Sequence, residues 1–166
     1  MNAIDQLCTQ CGLCCDGTLF ADVELRAGDD AKRLAKLGLP VKKKGSAKFA
    51  FVQPCACFDG RLCQIYRKRP KHCRLFQCGL LKKVNAGEMK TTEALRKIAK
   101  AKALIGKVCN LLATFEGDNE DAALSERYAQ AMHSPMDLTA GNTDRHGELM
   151  RAYGEWMKIA QKEFLK

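Results

Sequence analysis

Cys8-Thr9-Gln10-Cys11-Gly12-Leu13-Cys14-Cys15 puts four thiols into eight residues, and the remainder of the chain reads as a scaffold for them. Thiols this close together are poor partners for ordinary disulfides with one another and too many for a simple apolar segment. Two residues between cysteines let a tight turn aim both sulfurs at one ion, with backbone N–H groups left to bond the thiolates. Gly12, directly after the second cysteine, supplies the positive-φ residue that such a turn needs. Downstream, Cys55, Cys57, Cys63, Cys73 and Cys78 fall within 24 residues, enough to complete one or two metal sites.

At 166 residues the chain fits one domain, or a small metal module carrying a helical part. Its ten cysteines are about 6% of the total, below a secreted disulfide scaffold and far above cytosolic routine. Met1-Asn2-Ala3-Ile4-Asp5-Gln6 has neither the basic nor the apolar part of a signal peptide. No apolar run approaches the roughly 20 residues that cross a bilayer. A cytoplasmic location without a membrane partner is therefore expected. Thiols stay reduced there, and clustered cysteines serve metal or redox chemistry.

Charge is distributed unevenly. Residues 32–107 hold 21 Lys and Arg against Asp59, Glu88 and Glu93, a net +18, while the rest of the chain carries −9. Four thiolates around a divalent ion leave −2 per site, and nearby cations would keep thiolates ionised. The excess suits an acidic protein or nucleic acid as partner, or simply a solvated basic face.

In chain order, Phe20-Ala21-Asp22-Val23-Glu24-Leu25 alternates apolar and acidic, a short strand. Asp29 and Asp30 cap a helix through Leu34 and Leu37, with Gly38 at its end and Pro40 beyond. Lys42 to Ser46 reads as a basic turn, Phe49-Ala50-Phe51-Val52 as a second strand, and Leu62 to Tyr66 as a third beyond an Asp59-Gly60 turn. Pro70 suits the first position of a helix that would place Cys73 in its first turn, where free N–H groups lower a thiol's pKa. On a continuous helix Cys78 would lie about 140° around from Cys73, so the two would serve different sites or straddle a break.

These residues resemble a known family. Cys8-x2-Cys11-x2-Cys14-Cys15, then Cys55, then Cys63-Gln64-Ile65-Tyr66-x2-Arg69-Pro70-x2-Cys73-Arg74-x-Phe76-x-Cys78 is similar to the bacterial CxxCxxCC, YkgJ-like proteins. That family is described as zinc- or iron-chelating and includes the flagellin lysine N-methylases. The resemblance covers roughly residues 8 to 80. It implies metal binding by Cys8, Cys11, Cys14, Cys15, Cys55, Cys63, Cys73 and Cys78. Cys57 departs from the pattern and Cys109 lies outside it. The methylases are longer chains, and no glycine-rich nucleotide loop occurs here, so their activity does not carry over.

The spacings leave the metal open. Three cysteines two residues apart plus a remote fourth, and the four-residue gap from Cys73 to Cys78, both have iron–sulfur precedents. A pair two apart completed by distant cysteines equally closes structural zinc. Eight thiolates divide into two four-cysteine sites, and adjacent Cys14 and Cys15 cannot readily face one ion, so two sites are favoured over one. His72 reads as a solvated helix residue.

After Gly87 the cysteines nearly stop. Ala94, Ile98, Ala101, Ile105, Val108, Leu112 and Phe115 recur at spacings of four and three, one long amphipathic helix with Cys109 bordering its apolar stripe. Gly117-Asp118-Asn119 breaks it and caps a shorter helix holding Leu124, Tyr128 and Met132. A last helix puts Leu149, Tyr153, Trp156, Ala160 and Phe164 on one side, with Trp156 as packing. Residues 116–155, net −6, could dock on the basic half. The expected fold is α+β: a cysteine-cluster module over 1–86 with short strands and helices, then three amphipathic helices over 87–166 packing on it. The expected function is non-catalytic chelation of zinc or iron. An iron–sulfur electron carrier or enzyme component is the alternative, and a zinc–thiolate redox switch through Cys55-x-Cys57 a third. Paired carboxylates, a Ser/His/Asp arrangement and a phosphate loop are all missing from the sequence.

Overall fold

The computed structural model describes residues 3–46, 48–135 and 144–166. Among them lie seven α-helices and one three-stranded antiparallel sheet, an α+β architecture. Helix α1 (Ala3–Cys11) leads to β1 (Asp22–Glu24), α2 (Ala31–Lys36), β2 (Lys42–Lys44) and β3 (Lys48–Val52). Then come α3 (Lys71–Leu75), α4 (Gly79–Asn85), α5 (Thr91–Leu112), α6 (Leu124–His133) and α7 (Asp144–Ile159), the last running into a π turn over Ala160–Phe164. No described helix is long and apolar enough to cross a membrane.

The sheet runs β1-β3-β2, with Val23 opposite Phe51 in the register. Both are buried, and with Leu34 of α2, Leu39 and Cys57 they form a small apolar cluster. Helix α2 begins where expected: the Asp30 side chain accepts from the Arg33 amide and Gly38 follows the helix at φ 96°. The basic stretch read as a turn is instead the edge strand β2, pairing Lys42 with Ala50 and Lys44 with Lys48. All three of its side chains are exposed. A short lysine-rich edge is how sheets discourage further pairing, and it carries no apolar alternation to read.

The strand expected over Leu62–Tyr66 does not form. One isolated bridge joins Phe58 to Cys63, and Tyr66–Lys68 is a 3-10 turn. The Asp59 carboxylate accepts from the amides of Arg61 and Leu62 and closes a tight turn. Leu62 and Tyr66, 45% and 43% exposed, have no sheet to pack on. Pro70 caps α3 from one position before the expected one, with Cys73 in the first turn as anticipated. The helix stops at Leu75, and α4, which the sequence did not announce, begins after Cys78 as its N-cap.

A larger core gathers α1 and α4 to α7. The α5 stripe is buried as read, from Ala94 to Leu112. Leu149, Trp156, Ala160 and Phe164 are at most 2% exposed, and Trp156 is packing. Leu7, Leu13, Leu80 and Leu81 belong to this same core, so it reaches back to the first cysteines. Gly79 permits close docking of α4: a Cβ there would lie 2.6 Å from the Glu163 carbonyl oxygen. Helix α6 has no side-chain cap because Ala123 occupies its N-cap, and Asp118, five residues earlier, pairs with Arg127 at 2.6 Å. Two of the described acids of the 116–155 segment pair locally, Asp118 with Arg127 and Asp144 with Arg151, and none forms an ion pair with the basic half. Glu163, outside that segment, makes the link, 2.8 Å from Lys97 and 3.9 Å from Lys83.

Candidate metal centre

The first two cysteines sit on a helix rather than in a turn. Cys8 and Cys11 are one turn apart on α1, and the chain reverses only at Gly12, at φ 77°. The Gly12 amide donates to the Cys8 carbonyl at 3.2 Å, and the Gly12 carbonyl accepts from Cys15 and Asp16 at 2.7 and 3.1 Å. A side chain at Gly12 would strain this φ and meet the Phe58 ring at 2.9 Å. Leu13, 2% exposed, anchors the loop in the helical core between the two cysteine pairs.

The second group comes from three different pieces of chain. Cys55 follows the Gln53–Pro54 cis peptide, Cys63 lies in the single bridge to Phe58, and Cys73 is carried by α3. The Cys55 amide donates to the Cys15 carbonyl at 2.8 Å, which joins the two halves of the cluster through the backbone. Cys78 stands on the far side of the break between α3 and α4.

One cavity of about 170 Å³ is lined by Cys8, Cys11, Cys14, Cys15, Cys55, Cys63, Cys73 and Cys78, and by neither Cys57 nor Cys109. Its wall is largely apolar, with no Asp or Glu, and Arg61, Arg69, Arg74 and His72 contribute to it. His72 is not solvated as expected: it is half-buried, its ring stacked 6.2 Å from that of Phe76 and edge-on to Phe20.

Electrostatic neighbours sort the thiols into two groups that meet at Cys14 and Cys15, and packing sorts four of them the same way. Burial pushes the Cys14 thiol well above its ordinary value, and Cys11, Cys78, Cys15 and Cys8 add like-charge repulsion in that order. Cys11, pushed up to about 12 by burial, is opposed by the Leu13 amide and feels Cys78 and Cys8. Cys15, also pushed up to about 12 by burial, feels Cys55, Cys73 and Cys63. Cys73, pushed up to about 11 by burial, feels Cys55 and Cys63. The packing agrees: Cys11 and Cys78 lie against the helical core, Cys55 and Cys73 against the small cluster. Cys8, Cys11, Cys14 and Cys78 thus form one neighbourhood, and Cys15, Cys55, Cys63 and Cys73 the other. The helix start does not lower the Cys73 pKa as expected; desolvation outweighs both it and the Arg69 charge.

Cys57 is 6% exposed and its thiol donates to the Leu37 carbonyl at 3.5 Å, a contact of the small core. Cys109 is half-buried at the border of the α5 stripe, and its sulfur accepts from the Arg127 guanidinium at 3.6 Å. No three His, Cys, Asp or Glu side chains among the described residues stand at the mutual spacing of a single-ion site. The donor set itself is unmixed. Soft thiol ligands without carboxylate in the wall suit zinc, iron or an iron–sulfur group and disfavour magnesium or calcium.

A family model described as "CxxCxxCC: putative zinc- or iron-chelating domain" matches residues 7–100. No curated protein matches the chain, and no solved structure does.

Proposed function

The chain belongs to the CxxCxxCC family, and from that membership we propose that it chelates zinc or iron through two adjoining four-cysteine sites and is not itself a catalyst. Cys8, Cys11, Cys14 and Cys78 supply one site and Cys15, Cys55, Cys63 and Cys73 the other. The observation that carries this is the single cavity lined by these eight cysteines and by no other cysteine of the chain. Residues 1–86 supply the ligands, and the helices of 87–166 frame the first site. The ligands must be reduced to bind, which suits the cytoplasm.

Each filled site would carry −2 with a divalent ion. Lys102 acts favourably on Cys11 and Arg69 on Cys73, so each site has a cation at hand. The second site rests on an apolar cluster of only five buried residues, and thiolate–metal bonds, which contribute about 10–16 kcal/mol in small zinc modules, would add to its support.

An iron–sulfur group in each site is the second reading. It is favoured by the spread of the thiols, none of which form a single-ion triplet, around a cavity of about 170 Å³. Protein purified without oxygen separates the two: broad absorption near 400 nm and acid-labile sulfide mark the cluster, a colourless metal-loaded protein marks zinc. Double substitutions test the partition. Cys63→Ser with Cys73→Ser should lose one site's metal and leave the other; Cys73→Ser with Cys78→Ser should lose both. Equal retention in the two doubles overturns the assignment.

A further inference from the structure

Two arginines in the motif that carries the cysteines, Arg69 and Arg74, are not ligands, and both also line a second, polar cavity of about 110 Å³. We propose that this cavity binds a tetrahedral oxyanion, either inorganic phosphate or the terminal phosphate of a phosphomonoester.

Arg33, Lys68, Arg69 and Arg74 converge there with Asp29 and Asp30. The two carboxylates are already engaged by the backbone. Asp29 accepts from the Lys71 amide at 3.0 Å and the Arg26 amide at 2.9 Å, and Asp30 from the Arg33 amide at 3.0 Å. None of the four cationic side chains takes part in an ion pair among the described residues. The cavity therefore keeps a formal excess of two positive charges, the charge a phosphate dianion needs. Its lining also presents guanidinium forks, whose parallel N–H groups match phosphate oxygens.

Arg69 gives the cavity a fixed element. Its guanidinium lies over the Tyr66 ring at 3.9 Å, and its Nε is buried without a hydrogen-bond partner. A buried guanidinium nitrogen left unpaired is costly, and an oxyanion is the ligand that would satisfy it. The stacking on Tyr66 holds the plane in place before the ligand arrives, which reduces the ordering cost of binding.

The competing explanation is that these cations only balance the thiolates next door. Arg69 and Arg74 line both cavities, so they cannot decide between the two. Arg33 and Lys68 line only the polar one, and both are exposed, so replacing them spares the fold.

The test titrates metal-loaded protein with inorganic phosphate, glycerol 3-phosphate and acetate, at about 0.1 M chloride to screen diffuse attraction. Both phosphates should bind and acetate should not. Arg33→Gln and Lys68→Gln should each weaken phosphate at least about tenfold, the scale of one lost charge-assisted contact, with metal content unchanged. Tighter binding of the ester names a phosphomonoester as the ligand, tighter binding of the free ion names phosphate. Absence of binding by both, or affinity unchanged in Arg33→Gln and Lys68→Gln, overturns the proposal.

Discussion

The Cys55 amide donates to the Cys15 carbonyl across 2.8 Å, and this backbone bond ties the N-terminal cysteine run to cysteines that arrive 40 residues later. Cys14, the residue before, is electrostatically closest to Cys11 and Cys78. One peptide unit thus separates two thiol groups that rest on different apolar clusters: Cys11 and Cys78 on the helical core, Cys55 and Cys73 on the sheet and α2. A change of charge in one group is felt by the other, since Cys15 is among the neighbours of Cys14.

That difference in support predicts an uneven response to metal removal. After chelation, amide exchange should stay slow in α5 and α7, whose buried stripes are continuous, and in α1 and α4 docked on them. The segment from β1 to α3 should lose its protection, because its apolar cluster has only five buried residues. Equal loss across both regions would contradict the division.

The pH dependence of the metal-free protein should be one-sided. Burial holds Cys11 up to about 12 and Cys14 well above the 9.0 of an ordinary thiol, and both belong to the part that stays folded without metal. A folded pKa above the unfolded one means that the unfolded chain releases these protons first as pH rises. Their contribution is then whole below about pH 9 and disappears as pH climbs towards 12. Denaturation midpoints of metal-free protein should be level from pH 7 to 9 and fall steeply above it. The metal-loaded form, whose thiols have already given up their protons, should fall much less.

The sequence revealed what repeats or spaces regularly. The α5 stripe from Ala94 to Leu112, the Asp30 cap of α2 and the packing role of Trp156 each follow from local chemistry, and each is present. The strand β2 was hidden because Lys42, Lys43 and Lys44 are all exposed, and only hydrogen bonding to β3 makes them a strand. Leu62–Tyr66 looked like a strand because it follows the Asp59-Gly60 turn as a short run with Leu62, Ile65 and Tyr66, yet it pairs only through the single bridge from Cys63 to Phe58. At the metal centre, spacing marked the cysteine cluster but could not divide it. The proposed division rests on the apolar clusters that Cys11, Cys78, Cys55 and Cys73 pack against, and on the contact across 40 residues between Cys15 and Cys55. The second cavity was invisible for the same reason: Arg33 and Arg69 are brought together only by the fold.

Cys57 should prove structural although it lies two residues from Cys55. Its thiol faces the Leu37 carbonyl at 3.5 Å, among Leu34, Leu39 and Phe51. Cys57→Ala should keep full metal content and cost about 1 kcal/mol, the scale of one small buried group and a weak hydrogen bond. Metal analysis and a denaturation midpoint on the same sample check both. Loss of one metal equivalent would make Cys57 a ligand, and would reopen the redox-switch reading of Cys55 and Cys57.

Arg127 sets the terms for the remaining cysteine. Its guanidinium, only 8% exposed, donates to both Asp118 carboxylate oxygens at 2.9 and 2.6 Å and to the Cys109 sulfur at 3.6 Å. Asp118→Asn removes the counter-charge and leaves a desolvated cation, so it should cost about 3–5 kcal/mol. Replacing both partners, Asp118→Leu with Arg127→Met, should cost less than Asp118→Asn alone, because no buried charge is left unpaired. Cys109→Ser should be mild, about 1 kcal/mol or less, since the new hydroxyl can still accept from Arg127. All four substitutions lie outside the thiol cavity, so metal content should stay at the wild-type value while the denaturation midpoints spread. Metal loss in Cys109→Ser would instead place that sulfur among the ligands, and an Asp118→Asn midpoint equal to wild type would show that the pair is solvated rather than buried.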